Sequence, residues 1–84
     1  MANNKNKQEE KSKTPIELYI IEAVKRRREE LDITQEDLSY ALNLSHAFVC
    51  QRETGPKKYN TNHLNSIAKV LKCSPKDFMP DKPL

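Results

Sequence analysis

The sequence predicts an all-α fold of five short helices, and three observations carry that prediction. Apolar residues recur at helical spacing, most plainly Leu64, Ile67, Ala68 and Leu71 at i, i+3, i+4 and i+7. Residues able to cap a helix stand ahead of such stretches at Thr14, Thr34, Ser45 and Ser74. No segment alternates apolar and polar residues as a strand with one buried face would, and no repeat occurs.

The first helix starts at Thr14, where a capping hydroxyl, Pro15 at the first helical position and Glu17 three residues past the cap make a capping box. Ile16, Ile20, Val24 and Leu31 supply its apolar face, and it is expected to end near Asp32. Thr34 opens the second helix, with Glu36 and Asp37 in the first turn, where the helix dipole favours carboxylates. Leu38, Ala41 and Leu42 form its stripe, and Asn43 ends it because asparagine tolerates left-handed geometry. Ser45 offers the next cap only two residues later. A third helix, from about His46 to Glu53, must therefore cross the second through a tight turn, with Val49 as its clearest core residue and Gly55-Pro56 as its stop. The polar loop Lys57-Lys58-Tyr59-Asn60 leads to the fourth helix. Ser74, Pro75 and Asp77 repeat the cap, proline and acid for a fifth short turn carrying Phe78 and Met79. Residues 1–13 offer nothing to bury and read as a disordered basic tail, 14–79 as the helical domain and 80–84 as a C-terminal tail.

Composition excludes several classes. The chain has 84 residues, 36% hydrophobic and 32% charged, which suits one small domain with a limited core. Its longest apolar run, Leu18 to Ile21, is too short to cross a bilayer, and the first residues lack the apolar stretch of a signal peptide. A cytoplasmic protein without a membrane partner is expected. Cys50 and Cys73 read as unlinked thiols, and Gly55, the only glycine, leaves no Gly-rich phosphate loop. His46, Cys50, His63 and Cys73 match no compact zinc spacing, and an all-helical chain this small offers little pocket for a Cys-His nucleophile. The reading is of no enzyme, no metal, no cofactor and no small-molecule substrate.

Two short helices joined by a tight turn, Thr34 to Leu42 and Ser45 to Glu53, are a helix-turn-helix arrangement. The residues Ile33-Thr34-Gln35-Glu36-Asp37-Leu38, Ala41-Leu42-Asn43-Leu44-Ser45, Val49-Cys50-Gln51-Arg52-Glu53-Thr54-Gly55 and Ile67-Ala68-Lys69-Val70-Leu71 sharpen it. Over roughly residues 20–79 the chain resembles the Cro/C1-type helix-turn-helix (XRE-like) family of phage and bacterial regulators. The resemblance implies a compact five-helix, lambda-repressor-like DNA-binding domain that lays its third helix in the major groove. It also implies a structural ion pair between Arg28 and Glu53. The chain departs from the family pattern at Asn43, where glycine is usual, at Arg27, where an apolar residue is common, and at Arg52, where an aromatic or aliphatic one is.

Helical geometry turns Val49 and Arg52 towards the core, puts Phe48 at the margin, and sets the 46/50 and 47/51 pairs on the opposite, uncharged face. Gln51 suits adenine, His46 a guanine or phosphate, and Ala47 a thymine methyl, so these three are the expected base contacts. Thr34, Gln35, Ser45, Lys57, Lys58, Tyr59 and Asn60 are the expected backbone contacts, the first three because helix starts present amides to phosphate. A solvated helix face and a solvated loop are the plainer readings of the same residues.

The net charge of +3 is uneven, with +2 in residues 1–13, −3 in residues 14–54 and +4 in residues 55–84. The acidic middle favours a second reading, an antitoxin-like or adaptor module that binds protein and has weak DNA affinity. Four successive apolar residues, Leu18 to Ile21, cannot all face one core. Either the terminal turn of the same chain covers the surplus or a second copy does, in a homodimer.

Overall fold

The computed structural model describes residues 12–84, so the expected tail, apart from Ser12 and Lys13, lies outside the described residues. Helix α1 spans Pro15–Glu30, α2 Gln35–Ala41, α3 Phe48–Glu53 and α4 Thr61–Leu71, followed by a 3-10 turn at Pro75–Phe78. No strand occurs among the described residues. The fifth helical segment is thus a single 3-10 turn, which Pro80 and the extended Met79 prevent from lengthening.

The anticipated capping boxes form at Thr14–Glu17 and Ser74–Asp77. Glu17 receives the Thr14 amide at 2.8 Å, and this bond, ahead of its other contacts, holds its pKa below the usual carboxylate value. Three helices end in the same way. Asp32, Asn43 and Lys72 adopt left-handed φ values of 57°, 60° and 58°. In each case the following amide reaches back five residues: Ile33 to the Arg28 carbonyl, Leu44 to Ser39 and Cys73 to Ala68. Only Asn43 announced itself by residue type.

The start of α3 departs from expectation. The helix begins at Phe48 rather than His46, and Ser45 does not cap it through its side chain. The Val49 amide, which has no intrahelical acceptor and which a local cap would take, is instead bound by Ser39 Oγ of α2 at 3.1 Å. Ser39 is fully buried, and its hydroxyl donates in turn to the Gln35 carbonyl. The bond ties the two helices of the motif together where the turn is tightest.

Val24, Leu38, Phe48, Val49, Leu64, Ile67, Ala68, Leu71 and Phe78 form one core cluster. Helices α2 and α3 pack on each other, and α1 and α4 both pack on the 3-10 turn. The buried face of α1 runs through Ile21, Val24 and Arg28, so Leu31, expected on it, is exposed where the chain reverses at Asp32. Ala41 is likewise exposed, Met79 is exposed, and Phe78 alone carries the terminal turn into the core.

Candidate nucleic-acid interface

Helix α3 divides as its spacing requires. Phe48 and Val49 are buried, while His46, Cys50 and Gln51 are exposed and Ala47 is half-buried, so the uncharged face looks outward. Phe48 lies deeper than the margin assigned to it. Its ring meets His63 edge-on at 4.8 Å and Tyr59 at 6.0 Å, and the Arg52 guanidinium carbon sits 3.7 Å above it.

The end of α3 is locked by a carboxylate. Glu53, whose side chain is only 1% exposed, receives Arg28 Nε at 2.9 Å, Arg28 Nη2 at 2.8 Å and Gln35 Nε2 at 2.8 Å. Arg28 also donates to the Ile33 carbonyl at 2.7 Å. The hydrogen bonds to Glu53, opposed by burial, raise the guanidinium pKa still further, so Arg28 stays charged. One buried carboxylate therefore fixes α1, α2 and α3 relative to one another.

The expected backbone contacts separate into two groups. Thr34, Ser45 and Lys57 are exposed. Thr34 Oγ1 accepts the Asp37 amide and keeps its hydroxyl proton to donate. The others are engaged inside the protein. The Gln35 side chain is held by Glu53 through its Nε2. Lys58 is drawn to Glu17, Nζ to Oε1 3.4 Å. Tyr59 turns inward because its ring completes the aromatic cluster, and its hydroxyl is buried without a hydrogen-bond partner among the described residues. Burial first, and Glu53 second, push that phenol far above its ordinary pKa. Asn60 caps α4, its Oδ1 accepting the His63 amide at 2.7 Å while His63 Nδ1 accepts the Asn60 amide at 3.0 Å. The loop is thus mainly a structural strap, and Lys57 is its outward cation.

Sequence reasoning missed four contributors. Ser39 left a faint signal as a polar residue beside Leu38 on a short helix. Lys13, read as tail, reaches the Arg52 and Gly55 carbonyls at 2.7 Å each. Arg27 donates to the Leu71 carbonyl at 3.0 Å and the Lys72 carbonyl at 3.3 Å, closing the end of α4. Arg52 donates to the Lys58 and Phe48 carbonyls. Both arginines that break the expected apolar pattern thus serve carbonyls at helix ends or in the adjoining loop. Among the described residues, no group of three or more His, Cys, Asp or Glu could hold a metal ion, and no helix is long and apolar enough to cross a membrane.

The pattern of a capped α2, a tight turn and an α3 locked at Glu53 coincides with a sequence match: the Cro/C1-type HTH DNA-binding domain matches residues 24–83. The chain belongs to that family. Within it, the chain is 41% identical over 58 residues to the HTH-type transcriptional regulator DicA of Escherichia coli strain K12, covering 69% of this chain and 43% of that protein. This Cro/C1-type chain therefore spans less than half the length of that relative. Two solved structures share the fold. The P22 c2 repressor in complex with the synthetic operator 9T superposes with a TM-score of 0.63 at 27% identity, over 75% of this chain and 96% of that one. Apo-HppE superposes with a TM-score of 0.68 at 26% identity, over 77% of this chain and 36% of that one.

Proposed function

We propose that this Cro/C1-type chain binds double-stranded DNA in a sequence-specific way, with α3 in the major groove, and regulates transcription. The observation that carries the reading is the two-sided character of α3. Its inner side is fixed by Ser39, Glu53 and the Phe48 cluster, and its outer side presents His46, Ala47 and Gln51 without a charge among them. A rigid helix with uncharged hydrogen-bonding groups suits base edges. Thr34, Ser45, the Gln35 backbone and Lys57 flank it as phosphate contacts. The relatives support the same reading, since DicA is a transcriptional regulator and the P22 c2 repressor is held on an operator. The role is that of a binding protein rather than an enzyme.

Selection of random duplexes by the purified chain, followed by a salt titration on the enriched sequence, tests this. An enriched motif supports the reading. Binding without any sequence preference, or none at all, favours the protein-binding module that the −3 charge of residues 14–54 suggests.

A second copy of the chain is the further partner we assign. Leu18 and Tyr19 of α1 are exposed, as is Met79, which lines a groove with Ile20, Leu64 and Pro75, so the terminal turn does not cover all the surplus apolar residues of α1. Lys76 and Asp81 border Tyr19 and Met79, and opposite charges on one patch suit a two-fold contact with itself. Sedimentation at micromolar concentration is expected to show a dimer that Tyr19→Lys abolishes; a strict monomer that binds a non-palindromic half-site refutes it.

A further inference from the structure

We infer that Lys13 is a positioning residue for DNA binding, its ammonium holding the end of α3 and the Gly55–Lys58 strap in place so that Lys57 is presented to the phosphate backbone. The inference rests on the DNA-binding reading above and deepens it.

A helix leaves its last four carbonyls without intrahelical partners, and α1, α2 and α4 answer this with a left-handed residue that folds the following amide back. Helix α3 does not. Thr54 has φ −123°, and the chain leaves through Gly55-Pro56 so close to the helix that a Cβ at position 55 would stand 2.7 Å from the Gln51 carbonyl oxygen. The Cys50 carbonyl is met by the Thr54 amide and the Gln51 carbonyl by the Lys57 amide. The Arg52 carbonyl is met from outside, by Lys13 Nζ at 2.7 Å, and the same ammonium takes the Gly55 carbonyl at 2.7 Å. A cation at the negative end of a helix dipole is doubly favoured there.

These bonds join residues 39 and 42 positions apart, so the start of α1 is fastened directly to the end of α3. A second fastening runs in parallel, from Lys58 Nζ to Glu17 Oε1, with the Lys58 carbonyl accepting Arg52 Nε. Lys57 lies between the two fastenings and is exposed, so its place is set by its neighbours. Lys13 is half-buried; desolvation lowers its pKa, a cost to the ammonium that its bonds to the two carbonyls oppose.

The test uses the full chain, its Lys13→Met and Lys13→Arg variants, and the duplex that the wild-type protein enriches. Lys13→Met is expected to weaken binding about tenfold and to lower the salt slope by up to about 0.9, because Lys57 loses its phosphate, whereas added to Lys57→Ala it should lower the slope no further. The Thr54 and Lys57 amides should exchange with deuterium faster in the absence of DNA, and Lys13→Arg should restore both affinity and protection. A further fall of about 0.9 when Lys13→Met is added to Lys57→Ala would mean that Lys13 touches a phosphate itself, which overturns the inference. Unchanged affinity or unchanged exchange in Lys13→Met also overturns it. Should Lys13→Met fail to melt cooperatively, Lys13→Gln takes its place in the same comparison. If the wild-type chain enriches no duplex, the DNA-binding reading fails and this inference with it; if the wild type binds and Lys13→Met binds equally well, only the inference fails.

Discussion

Ser39 of α2 holds the Val49 amide of α3 at 3.1 Å, and this bond replaces the N-terminal cap that α3 lacks. Because Ser39 is fully buried, Ser39→Ala leaves a buried amide with no acceptor and frees the α2–α3 angle. The variant is expected to lose about 1–3 kcal/mol in urea denaturation. It should also weaken DNA binding, since α3 is then less firmly held.

The Arg28–Glu53 pair is expected to matter most when only half of it is removed. Arg28→Met strands a carboxylate that is 1% exposed, with Gln35 as its remaining side-chain donor, at a cost of about 3–5 kcal/mol. The double variant Arg28→Met with Glu53→Met should recover much of that loss, because no charge is then left buried. Denaturant melts of the two variants beside the wild type check both statements.

His63 couples stability to pH. Its Nδ1 accepts the Asn60 amide, which requires the neutral ring with its proton on Nε2, and burial followed by the charge of Arg52 lowers its pKa. A histidine whose folded pKa lies below its unfolded value of about 6.5 binds fewer protons in the native state. Its stabilising contribution is therefore complete above about pH 6.5 and is lost as the pH falls from there towards the folded value. Melting temperatures followed from about pH 7 down to pH 5 should decline in the wild type more than in His63→Gln, where the amide oxygen can accept the same bond without titrating.

On an enriched duplex, Gln51→Ala should cost about 1–3 kcal/mol and relax preference at one base pair. Lys57→Ala should weaken all duplexes alike and lower the salt slope by about 0.9. Lys58→Ala should leave the slope unchanged, because its ammonium is turned to Glu17. Equal, sequence-blind losses for Gln51→Ala and Lys57→Ala would remove Gln51 from base readout.

The helices and their order were legible because caps and spacing are local signals. Thr14 with Glu17, Thr34 with Asp37, and Ser74 with Asp77 each act within three residues, and each does so in the folded chain. What escaped was contact across long stretches of sequence. Nothing near Tyr59 announces that Phe48 and His63 will draw its ring inward, and nothing near Lys13 foretells two carbonyls some forty positions away. The outward face of α3 could be read from its 46/50 and 47/51 spacing. The fate of the loop after it could not, because Lys58, Tyr59 and Asn60 have polar side chains that serve equally well for phosphate and for internal partners.

The single glycine, Gly55, sits where room is scarce, while the left-handed positions 32 and 72 carry Asp and Lys. This division leaves an opening for thermal hardening of the protein. Both left-handed residues are exposed, and the bond that Arg27 makes at position 72 goes to the backbone, which any replacement retains. Glycine introduced at either place relieves about 1 kcal/mol of steric cost at a distance in sequence from α3. Gly55 itself admits no such exchange, since the oxygen that bars a Cβ there belongs to the backbone of α3.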